Sequence, residues 1–155
     1  IAIKPLLTYL KKDWIIWECA KGKGNLLNAF TEKGFTTIGT DIITGQDFLT
    51  YQPENFDCIV TNPPFSLKQQ FIERCYQLDK PFALLLSLTT LETKKRQDLF
   101  KKYGVKLILF DKRINFETPE GMASPGSWFS TAWFCYGFNI GKELNFVSLE
   151  GDKNE

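Results

Sequence analysis

The sequence predicts an α/β fold in which helices cover both faces of a mostly parallel β-sheet. Short apolar and β-branched segments alternate with segments of helical periodicity, which is the pattern of parallel strands joined by crossover helices. The segment PFALLLSL at 81–88 is apolar at nearly every position, as expected of a central strand that is buried on both faces. No helix separates the last two predicted strands, so we expect the last strand to insert antiparallel.

Helices are marked by apolar residues at helical spacing and by glycines that follow the last turn. In the first helix, Ile3 and Leu10 lie seven residues apart on one apolar face. Gly34 and Gly104 occupy positions where a helix commonly ends in the left-handed conformation. The predicted helices span 3–11, 25–34, 67–78 and 93–104.

Strands are marked by short apolar runs bounded by glycine or polar turns. The run WIIWECA precedes the loop KGKG, and the β-branched FTTIGTDI follows the second helix. The predicted strands span 14–20, 35–42, 56–60, 81–88, 105–110 and 130–138. The connection 111–128 is long, and long connections are often functional.

Composition indicates a single domain. The chain has 155 residues, of which 43% are hydrophobic, and this is enough for one sizeable core. We therefore expect one domain over 1–155, with 145–155 as a tail. The net charge of +1 gives no bulk positive field, so a nucleic-acid partner would have to be held locally. No run approaches the about 20 apolar residues that span a bilayer, and no signal peptide is evident, so we expect a cytoplasmic protein without a membrane partner.

The cysteines and the absence of histidine argue against a metal site. Cys19, Cys58, Cys75 and Cys135 form no CxxC pair, and the chain has no histidine to complete a zinc site. We expect buried free thiols and no metal. The lack of histidine also removes the commonest general base, so an active site here would have to work without imidazole.

The loop after the first strand has the features of a cofactor site. Ligands of open α/β sheets bind at the carboxyl ends of the strands, and Gly22 and Gly24 allow a tight turn there. A dinucleotide loop would have a third glycine where this chain has Leu27, which weakens a nicotinamide interpretation. Glu18 at the end of the strand suits a ligand with a cationic end.

Two more acidic residues follow in the order that a nucleoside requires. Asp41 ends the second strand, where a carboxylate can accept hydrogen bonds from both hydroxyls of a ribose. Asp47 offers an acceptor for an exocyclic amine beside Phe48, whose ring can stack on a purine. Taken together, a cationic end, a ribose and an adenine describe S-adenosylmethionine. The alternatives are structural, with Asp41 capping a loop and Asp47 capping a short helical turn.

The segment TNPPFS at 61–66 places two prolines directly after a strand. The prolines fix the backbone and remove two N–H donors. The side-chain carbonyl of Asn62 and the main-chain carbonyl of Pro63 can then accept both hydrogens of a planar amino group, which favours a nitrogen whose lone pair points at an electrophilic methyl group. The ring of Phe65 can stack on an extruded base.

These motifs resemble those of class I S-adenosylmethionine-dependent methyltransferases that methylate amino groups. The segment IVTNPPFSL is most similar to N6-adenine DNA methyltransferases of bacteriophages and restriction systems. The resemblance implies a Rossmann-like three-layer αβα fold with a sheet of the seven-stranded type. It implies cofactor contacts at Glu18, Ala20, Gly22, Gly24, Asp41, Asp47, Phe48 and Asn62, and a catalytic motif of Asn62, Pro63, Pro64 and Phe65.

The resemblance also implies substrate contacts in the second half of the chain. The family has an arginine and aromatic residues near the target base, for which Arg113, Asn115, Phe116 and Trp128 are the candidates. Phe116 and Trp128 can equally pack the loop onto the sheet. The short connections leave no room for a separate target-recognition domain, so a partner subunit for target recognition is possible.

The alternatives concern the acceptor and a basic helix. Methylation of adenine N6 in DNA is the leading hypothesis. The alternative acceptors are RNA adenine N6, guanine N2 and a glutamine amide. A further alternative is a non-catalytic subunit that binds cofactor or nucleic acid. The lysines and arginine of the segment TKKRQDLFKKYG form a basic helix face that is either solvated or follows phosphates. They are Lys94, Lys95, Arg96, Lys101 and Lys102.

Overall fold

A seven-stranded sheet with helices on both faces forms the centre of the molecule. The computed structural model describes residues 2–112 and 130–149. The strands are β1 (Ile15–Glu18), β2 (Thr36–Gly39), β3 (Cys58–Thr61), β4 (Phe82–Ser87), β5 (Lys106–Phe110), β6 (Thr131–Tyr136) and β7 (Leu144–Val147). Their spatial order is β2-β1-β3-β4-β6-β5-β7.

All neighbouring strands are parallel except for β6, which runs antiparallel to both β4 and β5. The antiparallel orientation predicted for 130–138 is therefore confirmed, although β6 is inserted inside the sheet. Strand β4 is buried along its whole length, as its uniformly apolar sequence predicts. The α-helices are α1 (Asn25–Glu32), α2 (Lys68–Leu78) and α3 (Lys94–Tyr103).

Successive strand residues point to opposite faces and build two separate cores. On one face, Ile16 and Val60 pack with Phe30 of α1 and with Leu6 of the amino-terminal segment. On the other face, the large aromatic core that includes Trp17 is covered by α2 and α3. The chain therefore has the three-layer αβα architecture predicted from its alternating pattern. All four cysteines are buried free thiols, as predicted.

Two elements differ from the prediction. The amino-terminal helix, Lys4–Tyr9, is a 3-10 helix rather than an α-helix, and its apolar residues still face the core. The region 145–155 is not a tail throughout, because Asn145 to Val147 belong to β7, which pairs in parallel with β5. The β7 sequence LNFV exposes Leu144 and Phe146, so it lacks the buried apolar face that would have indicated a strand.

Parallel strands bring their carboxyl ends to one edge of the sheet, and this edge positions the candidate residues. Glu18 ends β1, Thr61 ends β3 and Ser87 ends β4. Asp41 follows β2 by two residues. The reversal of strand order between the β2 and β4 sides lies at β1 and β3, where open α/β sheets form a crevice.

Candidate active site

Glu18 is a buried carboxyl group at the centre of this edge. Only 2% of its surface is exposed, and its Oε1 accepts hydrogen bonds from the backbone N–H of Ala20 at 2.9 Å and from the Thr61 hydroxyl. Burial raises the pKa of Glu18 from 4.5 to about 7, against the opposing effect of these hydrogen bonds. Within the described residues, Oε2 forms no hydrogen bond. A cation bound at this oxygen would restore the charge that burial disfavours.

The glycine loop and Asp41 form one hydrogen-bonded unit. Gly22 and Gly24 have φ angles of 51° and 85°, in the left-handed region that favours glycine. The Asp41 carboxylate accepts from Gly22 N through Oδ2 and from Ile43 N through Oδ1, both at 3.0 Å. The capping role considered as the alternative is therefore present. A carboxylate has about four acceptor positions, so capacity for two ribose hydroxyls is left.

Side chains of this loop and of α1 pack closely over the end of β2. A Cβ atom at Gly39 would lie 2.8 Å from Leu27 Cδ2 and 3.1 Å from Lys21 Cδ. A side chain there would have to displace the ends of the Leu27 and Lys21 side chains. Gly39 thus leaves room for these two side chains beside the candidate cofactor site.

Asp47 and Phe48 have different surroundings, because Asp47 is half-buried whereas Phe48 lies in the core. The Oδ1 atom of Asp47 accepts from Leu49 N at 3.0 Å, and the side chain is half-buried. Phe48 is 2% exposed, and its ring lies 5.2 Å from that of Trp17 and 4.7 Å from that of Phe71. The prediction that Phe48 stacks on a purine is therefore corrected. Its ring fills the aromatic core because the turn directs it under the sheet edge.

Asn62 and Pro63 present two acceptors without partners. In the described part of the chain, neither the Asn62 carboxamide nor the Pro63 carbonyl makes a hydrogen bond. The Pro64 carbonyl, by contrast, accepts from Leu67 N at 3.0 Å and closes the next turn. Asn62 is half-buried and Pro63 is buried, so their positions are fixed by packing while their oxygen atoms are not used by the fold.

Phe65 lies beside these acceptors at the start of the 3-10 turn Phe65–Leu67. Its side chain is 49% exposed, which is unusual for a phenylalanine. The Lys68 ammonium lies 5.1 Å from the ring centroid. A planar group could contact this ring at the sheet edge. The other predicted substrate residues, Arg113, Asn115, Phe116 and Trp128, lie outside the described residues.

Sequence reasoning missed two features of this edge. Ile42 and Ile43 follow Asp41 directly and are 65% and 82% exposed. They form an exposed apolar surface next to the Asp41 carboxylate, and their position directly after Asp41 was the signal in the sequence. Thr61 was also missed; its hydroxyl connects the end of β3 to Glu18, so the cofactor side and the NPPF segment are linked.

A cavity of about 250 Å³ lies at the opposite end of the sheet, lined by residues that include Lys106 and Tyr136. None of the described candidate residues is among those that line it. Among the described residues, no group of three or more His, Cys, Asp or Glu side chains is arranged to hold a metal. Within the same residues, none of the helices has the length and apolar character needed to cross a membrane.

Comparison with known proteins identifies the fold. No family model and no curated protein matches the sequence. One similar solved structure, from Listeria monocytogenes, is described as a class I S-adenosylmethionine-dependent methyltransferase. It matches this chain with a TM-score of 0.54 and 13% sequence identity, and the match covers 97% of this chain and 61% of that chain. A dimethyladenosine transferase from Plasmodium falciparum is similar with a TM-score of 0.51 and 16% identity over 89% and 58%.

The chain therefore has the Rossmann-like fold of class I methyltransferases. It spans less than two thirds of the length of these two solved proteins. The sheet agrees with the expectation of a mostly parallel seven-stranded arrangement with an antiparallel strand.

Proposed function

We propose that this chain is an S-adenosylmethionine-dependent methyltransferase that acts on the N6 amino group of adenine in DNA. The observation that carries the proposal is a pair of acceptors, the Asn62 carboxamide and the Pro63 carbonyl, which have no hydrogen-bond partner among the described residues and are held at the end of β3. Buried or half-buried acceptors normally find partners within the fold, so two adjacent acceptors without one indicate a ligand with two N–H groups. A primary amino group on a planar base is such a ligand.

The residues around the crevice fit the cofactor that this fold class uses. Glu18 Oε2 is available for a cationic end, and the remaining acceptor positions of Asp41 suit a ribose. Oδ2 of Asp47 makes no hydrogen bond in the described chain and suits the amino group of an adenine. With Phe48 in the core, Ile42 supplies the apolar contact for that base. S-adenosylmethionine, when bound, supplies an electrophilic methyl group.

The chain's own residues prepare the acceptor nitrogen. Asn62 Oδ1 and the Pro63 carbonyl each accept one N–H of the target amine, which weakens the delocalisation of its lone pair into the ring. Phe65 holds the extruded base by stacking. Asn62 cannot take a proton, and we assign the proton that the methylated nitrogen loses to solvent water.

The choice of adenine in DNA rests on the resemblance of the NPPF segment and on the exposed Phe65 ring. The name of the Plasmodium falciparum protein refers to dimethyladenosine, which is in keeping with an adenine acceptor. RNA adenine, guanine N2 and a glutamine amide present the same two N–H groups. They are therefore the alternatives that the experiment has to separate.

The test is incubation with methyl-labelled S-adenosylmethionine and, separately, duplex DNA, single-stranded DNA, tRNA and a protein mixture, followed by identification of the methylated atom. Asn62→Ala should retain cofactor binding and stability but lower turnover by about 10²–10³, because it removes a hydrogen bond made only during reaction. Asn145→Ala is the matched control.

Asn145 of β7 donates to Leu107 O and Lys142 O, both at 3.0 Å, at the far edge of the sheet. Its loss should lower stability and leave turnover of the folded protein unchanged. Wild-type methylation by a folded Asn62→Ala protein would refute the role of the NPPF segment. It would bring forward the non-catalytic alternative.

A further inference from the structure

A pair of cations lies next to the proposed target-base position. Lys68 is the first residue of α2, immediately after the NPPF turn, and its Nζ atom lies 5.1 Å from the Phe65 ring centroid. Burial lowers the pKa of Lys68, and the nearby charge of Arg96 lowers it further, whereas Glu92 raises it. Arg96 from α3 is thus close enough for the two positive charges to repel each other.

Arg96 is held in place by neutral oxygen atoms. Its Nε donates to the Thr90 carbonyl at 2.6 Å, and its Nη1 atom lies 3.4 Å from Gln69 Oε1. Thr90 belongs to the turn that follows β4, so these contacts place the guanidinium between that turn and the start of α2. The Gln69 amide also donates to Glu73 and so braces the arrangement. Donors on the guanidinium are left for a ligand.

Among the described residues, neither cation forms an ion pair: no carboxylate oxygen lies within 4.0 Å of Lys68 or Arg96, although Glu92 is near enough to raise the pKa of Lys68. The first two lysines of the basic helix face behave differently, because Lys94 pairs with Asp98 at 2.9 Å and Lys95 with Glu73 at 3.4 Å. Two adjacent cations without a carboxylate in contact repel each other, and an anion bound between them would offset this cost.

We propose that Lys68 and Arg96 form a phosphate site that holds the backbone of the target nucleotide while its base lies against Phe65. This inference rests on the proposed function and makes it more specific, because the acceptor must then be a nucleotide within a nucleic acid rather than a protein amide. A guanidinium binds phosphate through two parallel N–H groups, and a lysine adds a mobile point charge. The base and its phosphate are joined through one sugar, so a base on Phe65 brings the phosphate to the side chains beside that ring.

The experiment measures binding of a fluorescent, adenine-containing duplex oligonucleotide at several salt concentrations. Lys68→Gln and Arg96→Lys are compared with Lys94→Gln, which removes one positive charge from the paired outer face of α3. For Lys68→Gln the slope of log affinity against log salt should flatten by about 0.9, which is about an eightfold loss of affinity at about 0.1 M salt. Arg96→Lys keeps the positive charge, so the slope of log affinity against log salt should stay at the wild-type value. The affinity should fall because lysine cannot make the bidentate contact of arginine with phosphate.

Lys94→Gln should behave as the wild type in both slope and affinity. Thermal melting of each variant checks that folding is intact, since a purely structural role would lower stability and leave the salt slope unchanged. Wild-type slopes and affinities in folded Lys68→Gln and Arg96→Lys proteins would overturn the phosphate site. The phosphate site would also be overturned if the wild-type protein bound no oligonucleotide but methylated a glutamine peptide. In that case the proposal of amino methylation would still hold. Oligonucleotide binding with the expected slope change, but without methyl transfer to any acceptor, would support the phosphate site and refute the proposed function.

Discussion

Replacing Glu18 with glutamine should change how the stability of the cofactor-free protein depends on pH. Folding buries this carboxyl group and raises its pKa from 4.5 to about 7. Between these two values, the folded state holds a proton that the unfolded state releases. The contribution of Glu18 to stability is therefore complete below about pH 4.5 and is lost as the pH rises through about 7.

The size of the effect follows from the two pKa values. One pKa unit corresponds to about 1.4 kcal/mol, so ionised Glu18 should lower the free energy of unfolding by about 3 kcal/mol at about pH 8 relative to about pH 4. Glutamine keeps an oxygen acceptor for Ala20 N and has no charge to bury. The difference in stability between Glu18→Gln and the wild type should thus grow by about 3 kcal/mol over this range, in favour of the variant.

Urea unfolding of both proteins across this pH range measures the difference, and subtracting one curve from the other removes the contribution of every other titrating group. Glu32→Gln at the exposed end of α1 is the control, and its difference from the wild type should be nearly constant. A pH-independent difference for Glu18→Gln would show that Glu18 is not held in a desolvated site. The account of its role in cation binding would fail with it.

Two other substitutions test how the cofactor is held. Asp41→Ala should weaken S-adenosylmethionine binding by about 1–3 kcal/mol through loss of hydrogen bonds to the ribose, and it should lower stability because Gly22 N and Ile43 N lose their acceptor. Calorimetry measures the first effect and thermal melting the second. Unchanged affinity for S-adenosylmethionine would remove Asp41 from the site. Phe48→Ala should cost about 3–5 kcal/mol of stability as a core truncation, whereas Ile42→Ser should leave stability nearly unchanged and weaken cofactor binding. If Phe48→Ala instead weakened cofactor binding and left stability unchanged, Phe48 would belong to the cofactor site.

The sequence predicted the central strands well because their patterns arise from burial itself. The runs that form β1, β3 and β4 are apolar since both of their faces contact helices, and the predicted spans contain or overlap the observed strands. The antiparallel β6 followed from the lack of a helix before it. Strand β7 could not be predicted in this way, because it lies at the sheet edge with Phe146 exposed and is held by backbone pairing with β5.

Side-chain direction at the sheet edge was less predictable than residue type. Asp47 and Phe48 are adjacent in the sequence, but Asp47 is half-buried and Phe48 is 2% exposed. The structure directs Phe48 against Trp17 and Phe71, which leaves the exposed apolar position to Ile42. The basic run showed the same limitation. Pairing of Lys94 and Lys95 with carboxylates depends on neighbours that only the fold supplies.

The use of each polar atom by the fold distinguishes the candidate residues from one another. Both oxygens of Asp41 accept backbone N–H groups, so this residue would be needed to shape the loop even without a ligand. Asn62 and the Pro63 carbonyl accept nothing within the described chain, although the end of β3 and two proline rings hold them in place. Stability can account for the position of Asp41, but it cannot account for two adjacent, fixed acceptors that are left unused. The proposed function accounts for these acceptors by a donor from outside the chain, and for this reason Asn62, rather than Asp41, is the decisive residue for the proposed chemistry.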